Sequence, residues 1–507
     1  MVIFVTGTND FGKQDGARQE RFMERGAKCL PHGLRGLLVD RPTRTNEKAL
    51  AINLDMGRYG SFAEIGAGQE VARWFYRVGG AAGTIAKSVS AYDKTVSDAI
   101  YGPTRRYVVR ERLEEMLRYE QSLTLERLFP QRGDSTAFFT FANTVQARSY
   151  EGNNECHGWI GVKFQSHPRD EDSQIILHVR MLDSENQAQQ EALGIIGVNL
   201  LYGAFFLYHR PDELAESLLD ELSIERIEID MIEFSGIEFR HVDNRIMSLR
   251  LVQLGLTPAA MFSASGKVLQ PSEVLRKRPV LLERGRFSPV TRVNLDMIDK
   301  ARAQFAEDGG AAVQADDIVS VMEITMSNLR ADQGEVDLTD FIGRAEVLGV
   351  TDHIVMISDY FEYYRLAAYL RRYTDRRCAI VMGAGALRQI FDERYYARLE
   401  GGILEALGRL FKNDLHIFVY PQKDPETGAL WTVETLEVPK DVRHLYGYLV
   451  ERGFLIPVED YDESVLDIQA PEVLEKLQSG DAAWEEMVDE RVAEVIKARK
   501  LFGYGAR

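Results

Sequence analysis

Strands and helices alternate through the second half of the sequence, and this order constrains the fold more than any other feature. Short apolar strand patterns recur with helix patterns between them, and the strand candidates are DIVSVMEITM, DHIVMIS, RCAIVMG and DLHIFVYP. Apolar strands that are joined through helices predict a parallel sheet covered on both sides. We therefore predict that residues 293–440 form a Rossmann-like α/β lobe with helices on both faces of its sheet.

A second lobe is expected because 507 residues exceed what one ordinary hydrophobic core holds. Residues 45–255 combine helix patterns with strand candidates. The helix patterns are EVARWFYRVGG, GTIAKSVSAYDKTVSDAIYG and VRERLEEMLRYEQSLTLERLF, and the strand candidates are TAFFTFANTVQA, HGWIGVKFQS, SQIILHVRML and IERIEIDMIEFSG. This mixture predicts an α/β or α+β first lobe.

Three further segments complete the predicted organisation. Residues 1–44 are of mixed character and form an N-terminal arm, for which disorder is one interpretation. Prolines gather in residues 256–292, which predicts an irregular connection between the lobes, with a hairpin around the turn Ser265-Gly266-Lys267 as one interpretation. Residues 441–507 are predicted to be a helical tail, with one apolar face that includes Trp484 and Val492.

Charge and cysteine usage limit the partners and the compartment. The formal net charge of −17 argues against general nucleic-acid binding and against docking on anionic membranes. Cys29, Cys156 and Cys378 lie far apart, which is typical of a reducing compartment. The apolar start, residues 1–5, is too short for a secretory signal, and the uncharged stretch ALGIIGVNLLYGAFFLY is predicted to be a buried helix. We therefore expect a soluble cytoplasmic protein.

A glycine-rich turn, EIGAGQE, is the first candidate binding element. Glu64, Gly66 and Gly68 precede a helix pattern, as in the loops with which many methyltransferases hold S-adenosylmethionine. The strand that such a loop requires is doubtful, because Tyr59-Gly60-Ser61 interrupts its apolar body. Two interpretations stay open, a small-molecule contact and a tight turn that only starts a helix.

Two other short motifs are candidate anion or ligand contacts. Lys87-Ser88 ends GGAAGTIAKS like a phosphate loop, although alanines replace both glycines of the GxxxxGK[ST] spacing. Free amides at a helix start there would bind an anion, and close helix packing is the alternative. Gly383 and Gly385 follow a predicted strand of the second lobe, where ligands of open α/β sheets bind.

Histidines are the candidate catalytic groups. His157 and His178 lie on neighbouring strand candidates, and Arg180 follows on the second of them. Either histidine could transfer protons near neutral pH, and the alternative is that both are structural. The spacing resembles no zinc motif, so no metal site is predicted.

Much of the chain after residue 45 resembles one family. The segments AINLD, YGSFAEIGAGQEVARWF, GGAAGTIAKSVSAYD, HGWIGVKFQ, LHVRMLD, EALGIIGVNLLYGAFF and GGILEALGRLF are similar to a group of uncharacterised bacterial cytosolic proteins of about 500 residues. Members have been labelled nicotinate-nucleotide adenylyltransferase or TonB-dependent receptor. The sequence contains neither the HxGH motif of the first class nor a signal peptide of the second, so the resemblance implies no activity.

The sequence supports three hypotheses about function. The first is binding or conversion of a small phosphorylated or nucleotide-like metabolite, with no cofactor identified and enzymatic activity left open. Its site is expected in the first lobe, near Gly66–Gly68 and Lys87–Ser88, with His157, His178 or Arg180 as partners. The second is a non-catalytic protein that assembles with itself, and a homo-oligomer is expected. The third is S-adenosylmethionine chemistry at Glu64 to Gly68.

Overall fold

The strands of the protein form two large sheets. The computed structural model describes residues 41–152, 154–309, 313–330, 335–412, 414–424 and 427–505, so the predicted arm lies outside the described residues up to residue 40. The first sheet contains β1 Arg58–Gly66, β2 Ile85–Val89, β3 Ala137–Gln146, β4 His157–Phe164, β5 Ser173–Met181 and β6 Ile227–Gly236. The helices of this lobe are α1 Thr45–Asn53, α2 Val71–Val78, α3 Lys94–Tyr101, α4 Arg110–Arg132, α5 Asn186–Tyr202, α6 Pro211–Ser217 and α7 Asn244–Gln253.

The remaining elements belong to the second lobe. Its larger sheet contains β7 Ala259–Phe262, β8 Val268–Leu269, β9 Val280–Arg284, β10 Val319–Thr325, β11 Ile354–Ser358, β12 Cys378–Gly383, β13 Leu415–Tyr420 and β16 Leu455–Pro457, and a small hairpin pairs β14 Gln422–Lys423 with β15 Leu430–Trp431. Its helices are α8 Pro271–Leu275, α9 Arg292–Asp308, α10 Met326–Leu329, α11 Leu338–Gly349, α12 Tyr363–Tyr373, α13 Ala384–Ile390, α14 Gly402–Leu410, α15 Arg443–Glu451, α16 Ala470–Ser479 and α17 Glu490–Arg499.

The first sheet is mixed, with the order β2-β1-β3-β4-β5-β6. Strand β1 pairs in parallel with β2 and β3, and the strands from β3 to β6 pair antiparallel. The four strand candidates of this lobe are confirmed as β3 to β6. Helices α1, α2, α5, α6 and α7 cover one face, and α3 and α4 pack on the other.

Two local predictions in the first lobe are wrong. Tyr59-Gly60-Ser61 does not interrupt the first strand, because Gly60 lets β1 pass close to β3: a Cβ there would lie 2.0 Å from the carbonyl oxygen of Phe139. The helix predicted over GTIAKSVSAYDKTVSDAIYG is confirmed only as α3, and its first part is β2. Pairing with β1 satisfies the backbone groups of that segment, and this overrides its helix pattern.

The second sheet has the order β16-β13-β12-β9-β10-β11-β7-β8. Its first six strands are parallel, and β7 and β8 add an antiparallel edge. Counted from β9, the parallel strands run 3-2-1-4-5-6, which is the classic order of a dinucleotide-binding Rossmann sheet. Separate apolar cores cover the two faces, so the predicted doubly covered α/β lobe is confirmed.

The proline-rich segment 256–292 is more regular than the predicted irregular connection, and the hairpin interpretation is confirmed by the antiparallel pair β7–β8. It contributes β7, β8, α8 and β9, and β9 is the central strand from which the parallel order starts. The prolines lie at element boundaries, where a missing N–H costs little: Pro258 and Pro279 precede strands and Pro271 begins α8.

The apolar helix α5 lies inside the first lobe. The segment Asn186–Leu207 is long and apolar enough to cross a membrane, and 83% of its most apolar window is buried inside the structure. It packs in the core against α1 and α2, as the sequence predicts for a buried helix.

The apolar face of the C-terminal tail packs on the chain itself. Trp484, Val492 and Ile496 are buried in the core of the second lobe that also contains α11 residues. The Trp484 indole packs against the Tyr504 ring, and the two ring centroids lie 5.9 Å apart. The predicted apolar stripe therefore belongs to the fold of the second lobe.

We expect Trp484→Ala to lower the free energy of unfolding by about 3–5 kcal/mol, because it empties a buried site. The matched change Tyr448→Ala removes an exposed ring, and it should cost no more than about 0.5 kcal/mol. Urea unfolding followed by tryptophan fluorescence and circular dichroism measures both. Equal costs for the two variants would contradict burial of the tail.

Candidate functional site

The glycine-rich turn between β1 and α2 is closed by the protein's own carboxylate. The two oxygens of Glu64 accept hydrogen bonds from the backbone N–H groups of Val71 and Ala72, at 3.0 and 3.2 Å. These are amides of the first turn of α2, the groups that a ligand anion would need. Burial raises the pKa of Glu64 to about 7.

Close packing explains both glycines of this turn. A Cβ on Gly66 would lie 2.1 Å from the carbonyl oxygen of Val145, and Gly66 has a φ of +79°. A Cβ on Gly68 would lie 2.0 Å from the side-chain oxygen of Asn143. The geometry therefore favours the helix-starting turn over a contact with S-adenosylmethionine or a phosphate.

Lys87 and Ser88 do not lie at a helix start, which corrects that prediction. Both belong to the edge strand β2, where neighbouring side chains point to opposite faces. The Lys87 ammonium forms an ion pair with buried Glu120, which also accepts a hydrogen bond from the Tyr101 hydroxyl at 2.8 Å. The lysine charge is thus balanced inside the first lobe.

Gly383 and Gly385 lie where the sequence places them, at the carboxyl end of β12 and the start of α13. Gln422 fills this turn: its side-chain oxygen accepts a hydrogen bond from the Gly385 N–H at 3.0 Å. A Cβ on either glycine would come within 3.0 Å of that same oxygen. Small residues there leave room for Gln422 beside the switch point between β9 and β12.

A cleft of about 600 Å³ opens at the carboxyl end of this sheet, next to the switch point. We call it the carboxyl-edge cleft, and its walls come from the ends of β9 and β10, from the start of α12, and from α13 with the turn after it. The lining residues are Arg284, Thr325, Ser327, Asn328, Phe361, Glu362, Tyr363, Gln389, Ile390, Tyr395 and Tyr396.

A buried ion pair forms the floor of the cleft. Arg284 donates to both carboxylate oxygens of Glu323, at 2.8 and 2.9 Å, and its third nitrogen donates to the Phe361 carbonyl. The guanidinium also lies over the Tyr363 ring, 4.4 Å from its centroid. Because all three nitrogens have partners, Arg284 shapes the floor and contributes little free positive charge.

Two aromatic rings stand exposed at the cleft. Phe361 and Tyr395 are 54% and 42% exposed, and their centroids lie 5.3 Å apart. Large exposed rings that line a concave site offer a planar ligand a stacking surface.

Next to Arg284 on β9 lies a fully buried acid, Glu283. One of its oxygens accepts from the Asn294 amide at 2.7 Å, and the other has no hydrogen-bond partner among the described residues. Burial raises the pKa of Glu283 to about 8. The carboxyl group therefore stays protonated at neutral pH beneath the switch-point loop.

The predicted histidines are brought together in a buried series of three groups. His157 Nδ1 lies 3.0 Å from His178 Nε2, and His178 Nδ1 lies 2.5 Å from an Asp230 oxygen. Gln270, from the second lobe, donates to the other Asp230 oxygen at 3.2 Å. Each of these side chains is hydrogen-bonded to the next one, and they do not surround a common point. No metal-binding cluster is found in the part of the chain that the structure describes.

A β-bulge places Asp230 in this series. Val179 pairs with Ile229 while His178 pairs with Met231, so Asp230 is an extra residue in β6. A bulge bends the strand and redirects its side chains, which lets Asp230 face His178. Sequence reasoning missed Asp230, although a signal exists: the apolar–acidic alternation of IEIDMIEF slips by one residue at Met231.

The hydrogen-bond distances assign the tautomers of the two neutral rings. His178 Nδ1 lies 2.5 Å from the Asp230 carboxylate and 3.3 Å from the Gln270 amide nitrogen, and the shorter contact, to a group that only accepts, assigns the His178 proton to Nδ1. The Nε2 of a neutral His178 is then an acceptor. His157 must then donate from Nδ1, which leaves a lone pair on its Nε2. Burial lowers the pKa of His157 to about 3, so the ring stays neutral.

His157 lines an open pocket of about 1020 Å³ between the two sheets. We call it the relay pocket, and its lining residues are Arg106, Gln146, Asn154, Glu155, His157, Ser272, Arg276, Arg372 and Tyr373. Arg180 lies just behind this wall, over the Tyr373 ring at 5.9 Å. Its charge is balanced by Glu228 at 2.7 Å, which also pairs with Arg372 at 3.3 Å.

The fold and these sites define a two-sheet α/β protein whose second sheet is Rossmann-like. No family model matches the chain, and no curated protein matches it.

Among solved structures, the chain is similar to the nicotinic acid mononucleotide adenylyltransferase of Plasmodium falciparum, complexed with APC. The identity is 12%, the match covers 45% of this chain and all of that one, and the TM-score is 0.29. The competence/damage inducible protein of Agrobacterium tumefaciens has 16% identity over 30% of this chain and 88% of its own, with a TM-score of 0.21. The corresponding protein of Enterobacter asburiae has 14% identity over 32% and 96%, with a TM-score of 0.23. Similarity this low carries no functional argument.

Glu283 should make stability depend on pH. An unfolded glutamate ionises near pH 4.5, whereas the folded protein keeps this proton to about pH 8, so stability falls as the pH rises between these values. The side chain in Glu283→Gln has no such proton. The free energy of unfolding of this variant should therefore rise relative to that of the wild type by about 1.4 kcal/mol for each pH unit within this window. Urea unfolding of both proteins at pH 5.5 and 7.5 measures the difference. A constant difference would contradict a buried, protonated Glu283.

Proposed function

We propose that the chain binds a small phosphorylated or nucleotide-like metabolite, whose planar ring lies in the carboxyl-edge cleft. The observation that carries this proposal is the position of the cleft, beside the point where the 3-2-1-4-5-6 strand order reverses. Open α/β sheets bind their ligands outside the carboxyl ends of the strands at this point, because the loops diverge there and leave a crevice.

The lining of the cleft supports a planar, hydrogen-bonding ligand. Phe361 and Tyr395 provide ring faces, and stacking of a base on an aromatic side chain is worth about 1–3 kcal/mol. Hydroxyl and amide groups of Ser327, Asn328 and Gln389 line the same space, where they can pair with the edge of a heterocycle. The Glu362 carboxylate can accept hydrogen bonds from ribose hydroxyls.

A cytoplasmic location is part of this proposal. Cys156 and Cys378, the cysteines that the structure describes, are free thiols. Free thiols are typical of proteins that work in a reducing compartment.

The proposal is tested by ligand-induced stabilisation. We expect one or more of adenosine, guanosine, cytidine and their 5′-monophosphates to raise the melting temperature, since a ligand at 100 times its Kd stabilises by about 2.7 kcal/mol. The double variant Phe361→Ala/Tyr395→Ala should lower the affinity for that ligand by about tenfold or more, because both stacking rings are lost.

The matched control is Tyr76→Ala/Tyr448→Ala, which removes two exposed rings away from the cleft and should leave the affinity unchanged. Scanning calorimetry and isothermal titration measure both quantities. No stabilisation by any of these ligands, or equal affinity in the two double variants, would contradict binding in the cleft.

Self-assembly without catalysis remains the second hypothesis, and a homo-oligomer is still a proposal. The apolar face of the tail gives it no support, because Trp484 and its neighbours pack within the chain. Light scattering across a range of protein concentrations tests it directly.

A further inference from the structure

The relay pocket combines positive charge with a hydrogen-bond acceptor. Arg106 and Arg276 are exposed and form no ion pair among the described residues, and Arg372 is shared with Glu228. Glu155 is the acid in the lining, and it lies 3.6 Å from Arg180. The pocket is therefore suited to an anion.

A buried donor in the wall has no partner. Tyr373 is only 6% exposed, and its hydroxyl makes no hydrogen bond within the described part of the chain. The hydroxyl oxygen is closed to solvent, so Tyr373 lines the pocket with its ring, and the arginines and His157 are polar groups that can contact an anion.

The acceptor is His157 Nε2. Its lone pair follows from the series Asp230–His178–His157, in which each ring donates from Nδ1 toward the carboxylate. Among the described residues no hydrogen bond uses this nitrogen. An oxyanion that carries no proton would meet the lone pair unfavourably, whereas an oxyanion with an O–H group would donate to it.

We propose that the relay pocket binds a phosphate anion that also carries an O–H donor, with the arginines holding its oxygens and His157 Nε2 accepting its O–H. The site shares no lining residue with the carboxyl-edge cleft, so this proposal stands independently of that one. Both possible ligands combine an oxyanion with an O–H donor: inorganic phosphate carries the O–H on the phosphate itself, and a sugar phosphate carries it on the sugar.

The test uses the wild-type protein and three probes: inorganic phosphate, ribose 5-phosphate and sulfate, titrated by calorimetry at pH 7. Phosphate carries an O–H at this pH and sulfate does not. We expect phosphate or the sugar phosphate to bind about tenfold more tightly than sulfate, the factor expected for one hydrogen bond to a charged group. Tighter binding of ribose 5-phosphate would identify a metabolite, and tighter binding of phosphate the free ion. Equal affinities for all three, or no binding, would overturn the proposal.

The charge requirement is tested by a matched pair of variants. Arg106→Ala/Arg276→Ala should lower phosphate affinity about tenfold or more. Arg105→Ala/Lys277→Ala removes two positive charges from the adjacent, exposed positions that do not line the pocket, and it should change the affinity little. Equal losses in both double variants would show attraction by overall charge only and would overturn the site.

The direction in which the hydrogen bonds of the series Asp230–His178–His157 are donated is tested by a substitution of Asp230, a positioning residue. In Asp230→Asn, Gln270 still donates to the amide oxygen, because its own oxygen is held by the Glu273 N–H at 2.8 Å. The new amide nitrogen then donates to His178 Nδ1, both rings reverse, and His157 Nε2 becomes a donor. We expect the preference for phosphate over sulfate to be lost while sulfate still binds.

A structural role for Asp230 would leave the phosphate-to-sulfate ratio unchanged in the folded variant, and that result would overturn the relay. If Asp230→Asn does not fold, 15N spectra of wild-type protein labelled at its nine histidines decide the same point. An unprotonated His157 Nε2 that shifts on addition of phosphate supports the proposal, and a protonated Nε2 without ligand would overturn it.

Discussion

The position of β9 at the centre of the second sheet is the constraint on which the rest of that lobe depends. Strands β10 and β11 lie on one side of β9, and β12 and β13 lie on its other side. The loops at the carboxyl end of the sheet therefore run in opposite directions at β9 and leave a crevice between them. The end of this strand also carries two buried acid or base groups in succession. Glu283 supports the loop from below through Asn294, and Arg284 with Glu323 closes the floor of the cleft.

The contact between the two sheets depends on a different principle, the satisfaction of buried charge. Glu228 and Asp230 from β6 meet Arg180 and His178 from β5, and the second lobe adds Arg372 and Gln270. A buried carboxylate is tolerated only when its oxygens are hydrogen-bonded. The two lobes therefore depend on each other chemically, and the relay pocket forms where they meet.

The sequence predicted the second lobe well because buried parallel strands and amphipathic helices leave strong local patterns. It misjudged β2, whose strand conformation comes from pairing with β1, and the proline-rich segment, where the prolines mark boundaries of β7, α8 and β9. It selected His157, His178 and Arg180 correctly as neighbours, since they lie on adjacent strands. Tyr373 and Arg276 could not be predicted, because they reach the pocket from elements that follow about a hundred residues or more later in the chain. The turn at Glu64 is the opposite case: its sequence resembles a binding motif, but the free amides that a ligand would need are hydrogen-bonded by the Glu64 carboxylate.

The bulge at Asp230 makes the two-histidine series depend on the length of a strand as well as on its residue types. Because side chains alternate with a period of two, removing this one residue would restore regular pairing of β6 from end to end. The half of the strand before the bulge would keep its faces, because Ile229 already pairs with Val179 and Met231 with His178. A one-residue deletion in β6 would therefore preserve the sheet and the pair of Glu228 with Arg180, and it would remove only the carboxylate that orients the two histidines and binds Gln270.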